Sequence, residues 1–314
     1  MSAVRVEKPG LLSTVQDLGR PGYAHLGISA SGAADALALR LGNLAVGNEH
    51  DAPAIEMTLV GGTFGFEADA VVAITGADFG PRLATRTIPR WQAVEVRRGD
   101  RLELGPSRSG ARCYLCVRGG IDVPRVFGSA STHVLTGIGG WHGRPLAAGD
   151  VLPIGAPSRG GACRSLDLRW IESAYAPAPL RITRGPQADW FDDGMLDRLR
   201  SSTYSVLEQS NRMGIRLAGP AITRASTRQL VTEGVALGAI QIPESGQPIV
   251  LFVEHQTTGG YPKIAAVCTA DMHRVGQLRP RDRVGFELRT LEEAWALDRE
   301  LERVTRALGS TEAA

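Results

Sequence analysis

Apolar residues occur in short runs of alternating or continuous hydrophobicity, broken by Gly and Pro about every 8–12 residues, the rhythm of short strands joined by turns. The pattern predicts strands at Val71–Thr75, Ala93–Val96, Arg101–Leu104, Cys113–Val117, Ile249–Val253 and Val284–Leu288. Several strands follow a turn that carries Asp: Gly99-Asp100-Arg101, Gly149-Asp150-Val151 and Arg281-Asp282-Arg283. An Asp there is expected to bond its own backbone two residues on and start the strand cleanly. The recurring unit hints at two related β modules.

Helical periodicity is scarcer. Ser31–Val46 sets Leu37, Leu41 and Leu44 at three- and four-residue spacings, after a cap expected at Ser31 or Gly32. Asp192–Leu199 is a shorter candidate, and Leu291–Leu308 is amphipathic with a solvated charged face. Ala156–Gly161 and Ala176–Pro179 are Pro- and Gly-bearing stretches on either side of a strand-like run, Ser165–Trp170. They suggest a division at residue 178, giving two β-rich domains, 1–178 and 179–314.

Composition narrows the function. Hydrophobic residues make up 43% of the 314 and charged residues 22%, normal for a chain with a real core. The net charge of +2 is spread along the chain, which argues against nucleic-acid binding. The first ten residues lack a signal-peptide apolar core, and no stretch approaches the ~20 apolar residues that span a bilayer. A cytoplasmic protein without membrane contact is expected. Nearly all basic residues are Arg; the two lysines are Lys8 and Lys263. Lys263 therefore stands out inside a polar, glycine-bearing segment.

The four cysteines are too few and dispersed for a disulfide framework. Cys113 and Cys116 have C-x-x-C spacing, yet three residues along a strand point to opposite faces, so both are expected in the core and no metal site is expected. The glycine-rich stretches Gly119-Gly120 and Gly137–Gly143 match neither phosphate-binding fingerprint, and the lysine positions exclude a P-loop. The six histidines do not fall at metal-ligand spacing; His255 is notable for its neighbours.

Three polar constellations remain. The densest runs from Glu254 to Lys263, directly after an apolar strand. Gly259 and Gly260 permit positive φ and close approach of a ligand; Gln256 both donates and accepts, which suits a planar amide or ureido group. Lys263 is placed to stabilise an oxyanion. A decorated hairpin turn is the plain alternative. A second constellation opens the chain with Gln16, Asp17 and Arg20, continuing through Ser31 and Asp35 to Glu56. It reads either as an anion or partner site at a helix N-terminus or as structural capping. The third is Glu208–Gly214, where Arg212 offers a planar fork for a carboxylate.

Together, Thr14–Arg20, Ser210–Gly214 and Gln256–Ile264 resemble the biotin-dependent carboxyltransferase family, which includes the 5-oxoprolinase C component, allophanate hydrolase subunit 2 and KipA. Supporting stretches are Leu41–Asn48, Thr75–Gly80, Arg118–Ile121 and Gly238–Pro243, so the resemblance covers roughly Val4 to Ala294. It implies a mainly β fold of two cyclophilin-like β-barrel domains with a few short helices. It further implies a KipI-like protein as direct partner, and a LamB/YcsF-like protein as third member of a complex that opens the 5-oxoproline lactam to glutamate with ATP. The ATP would not be held by a P-loop here, and biotin, if used, would come from another protein or domain. Under the resemblance Lys263, Gln256 and Tyr261 are catalytic, and Thr257, Thr258, Gly259, Gly260, Arg212, Arg20, Gln16 and Glu56 bind substrate. A urea- or allophanate-type carboxyltransferase and a KipA-like regulatory binder are the alternative activities. Two departures stand out: Glu254-His255 where the family pattern has Asp-Arg, and Asn211 where it has Asp.

Overall fold

The computed structural model describes residues 2–158, 161–225 and 228–309, so Arg159 and Gly160 of the first Pro- and Gly-bearing stretch lie outside it. The chain forms two compact units: Met1–Arg20 with Ser31–Ala174 and Thr305–Ala314, and Pro21–Ala30 with Tyr175–Val304.

The first unit is built on two antiparallel sheets. One runs in the order Val151–Pro153, Ala3–Lys8, Thr63–Phe66, Arg101–Glu103, Arg82–Leu83, Arg86–Thr87. The other runs Leu12–Gln16, Ala54–Thr58, Ser109–Val117, Ala70–Asp78, Ala93–Val96. Their inner faces supply one core, with Val4, Val6, Phe64 and Leu102 from the first sheet and Val15, Ile55, Ile74 and Leu115 from the second. The opposite face of the second sheet is covered by helix α1, Ala36–Val46. The strand Ser109–Val117 shows the alternation directly. Cys113, Leu115 and Val117 enter the core, while Cys116 turns to the Leu39 carbonyl on α1 and Tyr114 toward the residues that open that helix. The two thiols thus diverge, as their spacing predicts, and burial pushes both pKa values up.

Helix α1 begins later than Ser31. Asp35 is its cap, its carboxylate accepting from the Ala38 N–H at 2.8 Å. Ser31 lies at φ 54° and its hydroxyl donates to the Thr132 carbonyl. The strand expected at Ser165–Trp170 is instead the approach to a helix, Leu168–Ala174, because Asp167 accepts from the Arg169 and Trp170 amides and caps its first turn.

The second unit holds an eight-stranded sheet in the order Arg283–Val284, Tyr204–Val206, Gly214–Ala218, Ile249–Leu251, Ala239–Gln241, Lys263–Val267, Leu180–Arg184, Phe286–Leu288. Its first and last strands are neighbours in the chain, joined through Gly285, so the sheet nearly closes on itself as a barrel. One pairing, Leu180–Arg184 with Phe286–Leu288, is parallel; the other pairings within this sheet are antiparallel. Among the described residues no helix is long and apolar enough to cross a membrane.

The three Asp turns share one construction, which differs from that expected. Asp100, Asp150 and Asp282 each accept, through the carboxylate, the N–H three residues back: Arg97, Ala147 and Arg279, each at 2.8 Å. Each Asp N–H returns a bond to the carbonyl of that same residue. The reach is backward because the residue before each Asp is left-handed, at φ 89° for Gly99, 93° for Gly149 and 73° for Arg281. The turn occurs in both units and launches a strand each time.

Candidate functional site

The polar segment of the second unit is held by strand pairing on both sides. After the strand Ile249–Leu251 a tight turn, closed by the His255 N–H on the Phe252 carbonyl, carries the chain to Thr258–Gly259. That two-residue strand pairs with Glu233–Gly234 in a separate ribbon, Glu233 opposite Gly259. Lys263 then begins the barrel strand beside Ala239–Gln241, with Gln241 opposite Lys263 and Ile240 opposite Ala265. The skipped residue, Ile264, is a bulge of the kind that re-aims side chains next to functional sites.

Lys263 is 5% exposed, and its ammonium donates to the Glu233 carboxylate. The Lys263 hydrogen bond holds the Glu233 carboxyl below its usual range; burial opposes that shift, and Gln187 adds to it. Gln187 ties the group together, its Nε2 donating to Glu233 Oε1 at 3.0 Å while its Oε1 accepts from the Lys263 N–H at 3.1 Å. Gly185 lets this loop approach, since a Cβ there would lie 2.3 Å from the Lys263 carbonyl oxygen. Beside Lys263 sits Gln241, 1% exposed. Its Oε1 faces Gln256 Nε2 at 3.5 Å, and its buried Nε2 has no hydrogen-bond partner. A buried donor left unpaired in a native fold calls for an explanation, and a ligand acceptor is one.

Gly259 and Gly260 are not in the left-handed region expected of them. Space decides Gly259 instead, because a Cβ there would meet Gln241 Nε2 at 2.8 Å. Thr257 contributes its carbonyl to the Val235 N–H, and Tyr261 projects outward, 48% exposed. His255 Nδ1 donates to the Gln256 carbonyl at 2.6 Å; burial lowers the His255 pKa, only partly offset by that contact.

Arg212 is 7% exposed and donates through Nε to Glu254 Oε1 at 2.6 Å, with Glu254 equally buried. Their backbones also join, Glu254 N–H to the Arg212 carbonyl. The fork expected to meet a substrate carboxylate is thus engaged by an internal one. Asn211 accepts from the Met213 and Gly214 amides, so the neutral side chain serves a turn there.

Gln16, Arg20 and Glu56 belong to the first unit. Gln16 donates to Thr14 Oγ1 and the Thr132 carbonyl, both at 3.0 Å. Arg20, 1% exposed, donates to the carbonyls of Val126 and Ser131, and Asp17 gathers the hydroxyls of Ser129 and Ser131 with the Ala130 N–H. Glu56 accepts from Tyr114 Oη at 2.6 Å and the Ala34 N–H at 2.8 Å. These contacts fasten the 126–133 loop and the start of α1, the capping alternative for this constellation. Among the described residues no group of His, Cys, Asp and Glu is placed to hold a metal ion.

Residues 26–288 match the family model described as carboxyltransferase domain, subdomain A and B. The chain belongs to this carboxyltransferase-domain family. It is 41% identical over 291 residues to the 5-oxoprolinase C component of Escherichia coli, covering 93% of both chains. It is 34% identical to urea amidolyase of Saccharomyces cerevisiae, spanning 99% of this chain and 18% of that one. The crystal structure of K. lactis urea amidolyase superposes with a TM-score of 0.89 at 30% identity, again over 99% of this chain and 20% of that one.

In this carboxyltransferase-family chain, the sequence singles out Lys263 and Gln256 of this hydrogen-bonded group but not Glu233, Gln187 or Gln241. Gln241 was legible as a polar residue inside the apolar run Ala239–Ile242. Glu233 and Gln187 carry no local signal, being joined to Lys263 only by the fold.

Proposed function

We propose that the chain is the C component of an ATP-dependent 5-oxoprolinase, which opens the 5-oxoproline lactam to glutamate together with two partner proteins. The observation that carries this is the 41% identity with the Escherichia coli protein along 93% of both chains. The site chemistry agrees with it. The Lys263 ammonium supplies positive charge where a lactam oxygen gains negative charge, and a low-dielectric setting strengthens that attraction. The unpaired Gln241 amide donates to the same planar N–C=O group, with Gln256 orienting Gln241. Glu233 and Gln187 are positioning residues for Lys263. Thr257, Thr258, Gly259, Gly260 and Tyr261 form the wall of the site. The complex uses ATP, and this chain does not hold it by a P-loop, for it lacks G-x-x-x-x-G-K-[ST]. The KipI-like protein contacts the chain directly, and the LamB/YcsF-like protein completes a cytoplasmic complex.

The test is ATP-dependent glutamate release from 5-oxoproline by the three proteins together, with each omitted in turn. Loss of release when this chain is withheld supports the proposal; undiminished release without it refutes the proposal. A second reading, transfer of a carboxyl group from carboxybiotin to a urea-like acceptor, is favoured by the coverage of the urea amidolyase relatives. The Gln241 donor fits a ureido carbonyl as well as a lactam. Activity abolished by avidin would select that reading.

A further inference from the structure

Of the arginines first expected to meet a substrate carboxylate, Arg20 donates to two backbone carbonyls of the first unit and Arg212 to a buried glutamate. The second unit contains another pair. A cavity of about 680 Å³, within the ~300–1,000 Å³ usual for small-molecule sites, is lined by Thr223, Arg224, Arg228, Ser245, Gly260 and Tyr261 among others. It borders Gly260 and Tyr261, the latter two residues ahead of Lys263 in the chain. Arg224 is fixed by a bridge between its backbone and that of Phe191, and its Nη2 donates to the Arg228 carbonyl at 2.6 Å. Its Nε is buried without a hydrogen-bond partner, and among the described residues Arg224 has no carboxylate partner. The Arg228 guanidinium stands 6.0 Å over the Trp190 ring, a contact that steadies a second positive charge at the cavity. Glu244 is the carboxylate in the lining, against two arginines. The planar fork of Arg224, with its unspent donor, suits a planar carboxylate.

We propose that Arg224 and Arg228 anchor the carboxylate of a small carboxylate-bearing amide in this cavity, with its amide ring against Gly260 and Tyr261. The assignment rests on the lactam reading above, whose substrate has one carboxylate on the ring. Binding energy from the carboxylate then places the ring, so the arginines govern substrate affinity while Lys263 governs turnover.

The experiment compares the assembled wild-type complex with Arg224→Gln and Arg228→Gln on 5-oxoproline and on 2-pyrrolidinone, the same lactam without the carboxylate. Thermal unfolding of each variant serves as the folding control. The expected result is a KM for 5-oxoproline raised about tenfold or more in each variant, the loss typical of a charged hydrogen bond, with kcat nearly unchanged. Apparent affinity for 2-pyrrolidinone, measured as competitive inhibition, stays as in wild type. Unchanged KM in both variants overturns the anchor and leaves the lactam reading standing. Equal loss of affinity for both compounds also overturns it, since the arginines would then only support the loop. Absence of 5-oxoproline turnover by the wild-type complex refutes the lactam reading itself, and the anchor falls with it.

Discussion

Replacing Arg212 with Ala separates a substrate ligand from a structural brace. Arg212 and Glu254 are each 7% exposed and joined at 2.6 Å, and their backbones are hydrogen-bonded to each other. Removing the guanidinium leaves the buried Glu254 carboxylate without this counter-charge, and breaking such a buried pair costs about 3–5 kcal/mol. Removing both charges, as Arg212→Met with Glu254→Leu, deletes the stranded ion as well and should recover most of that loss. The chain has two units and its overall unfolding need not be two-state, so a local reading is preferable. Amide exchange in Gly214–Ala218 and Ile249–Leu251, the paired strands flanking this contact, supplies one. A loss of about 3 kcal/mol accelerates exchange there a hundredfold or more when it proceeds through opening of the barrel. The double variant should exchange close to wild type. If Arg212→Ala left protection intact while raising KM for 5-oxoproline, the brace would be refuted and Arg212 restored as a ligand.

Four further outcomes follow from local geometry. In Lys263→Met the Glu233 carboxyl, held down chiefly by the Lys263 hydrogen bond, should titrate closer to its ordinary 4.5, as read by carbon-13 NMR. Gly259→Ala places a Cβ 2.8 Å from Gln241 Nε2 and 3.2 Å from Val235 Cγ1, so it should displace the Gln241 amide end and reduce turnover while leaving thermal unfolding nearly unchanged. The Asp150 carboxyl is lowered to about 2, first by its hydrogen bonds from Arg144, with burial opposing. Its stabilisation is therefore present above the ordinary 3.8 and lost as pH falls through about 2, and Asp150→Asn should remove that acid-side loss and cost about 1–2 kcal/mol at neutral pH after solvent screening at half-exposed Arg144, in urea titrations. Arg281 is the non-glycine in the shared Asp turn, at φ 73°, so Arg281→Gly should raise stability by up to about 1 kcal/mol, less the small share of its exposed contact with Glu208. A lower melting temperature in that variant would count against strain at this position.

What could be read from the sequence depended on how far apart the interacting residues lie. Strand rhythm found Ala93–Val96 to the residue and the opposed faces of Cys113 and Cys116, because alternation is a local property. Helix α1 was legible from its leucines, yet its start was set by the Asp35 carboxylate reaching Ala38, and several small polar residues upstream compete for that role. The Leu168–Ala174 helix was missed because it is short and its apolar residues resemble a strand; Asp167 was the available sign. The Asp turns were located correctly but bonded backward, since the left-handed residue before each Asp cannot be inferred when it is Arg281.

The candidate site follows the same logic. Lys263 was conspicuous because a lysine is rare in this arginine-rich chain, and burial then requires a counter-charge. That charge arrives on Glu233, thirty residues upstream, by a two-residue ribbon whose pairing no local pattern announces. Arg20 and Arg212 illustrate the reverse case. Each has the right chemistry for a carboxylate, but only the folded chain shows that Ser131, Val126 and Glu254 already use that capacity. A side chain's donor type is written in the sequence; whether the donor is already spent is a property of the fold. Two buried donors without a hydrogen-bond partner, Gln241 Nε2 near Lys263 and Arg224 Nε at the cavity, lie in the second unit beside the proposed site, and ligand chemistry should be sought there first.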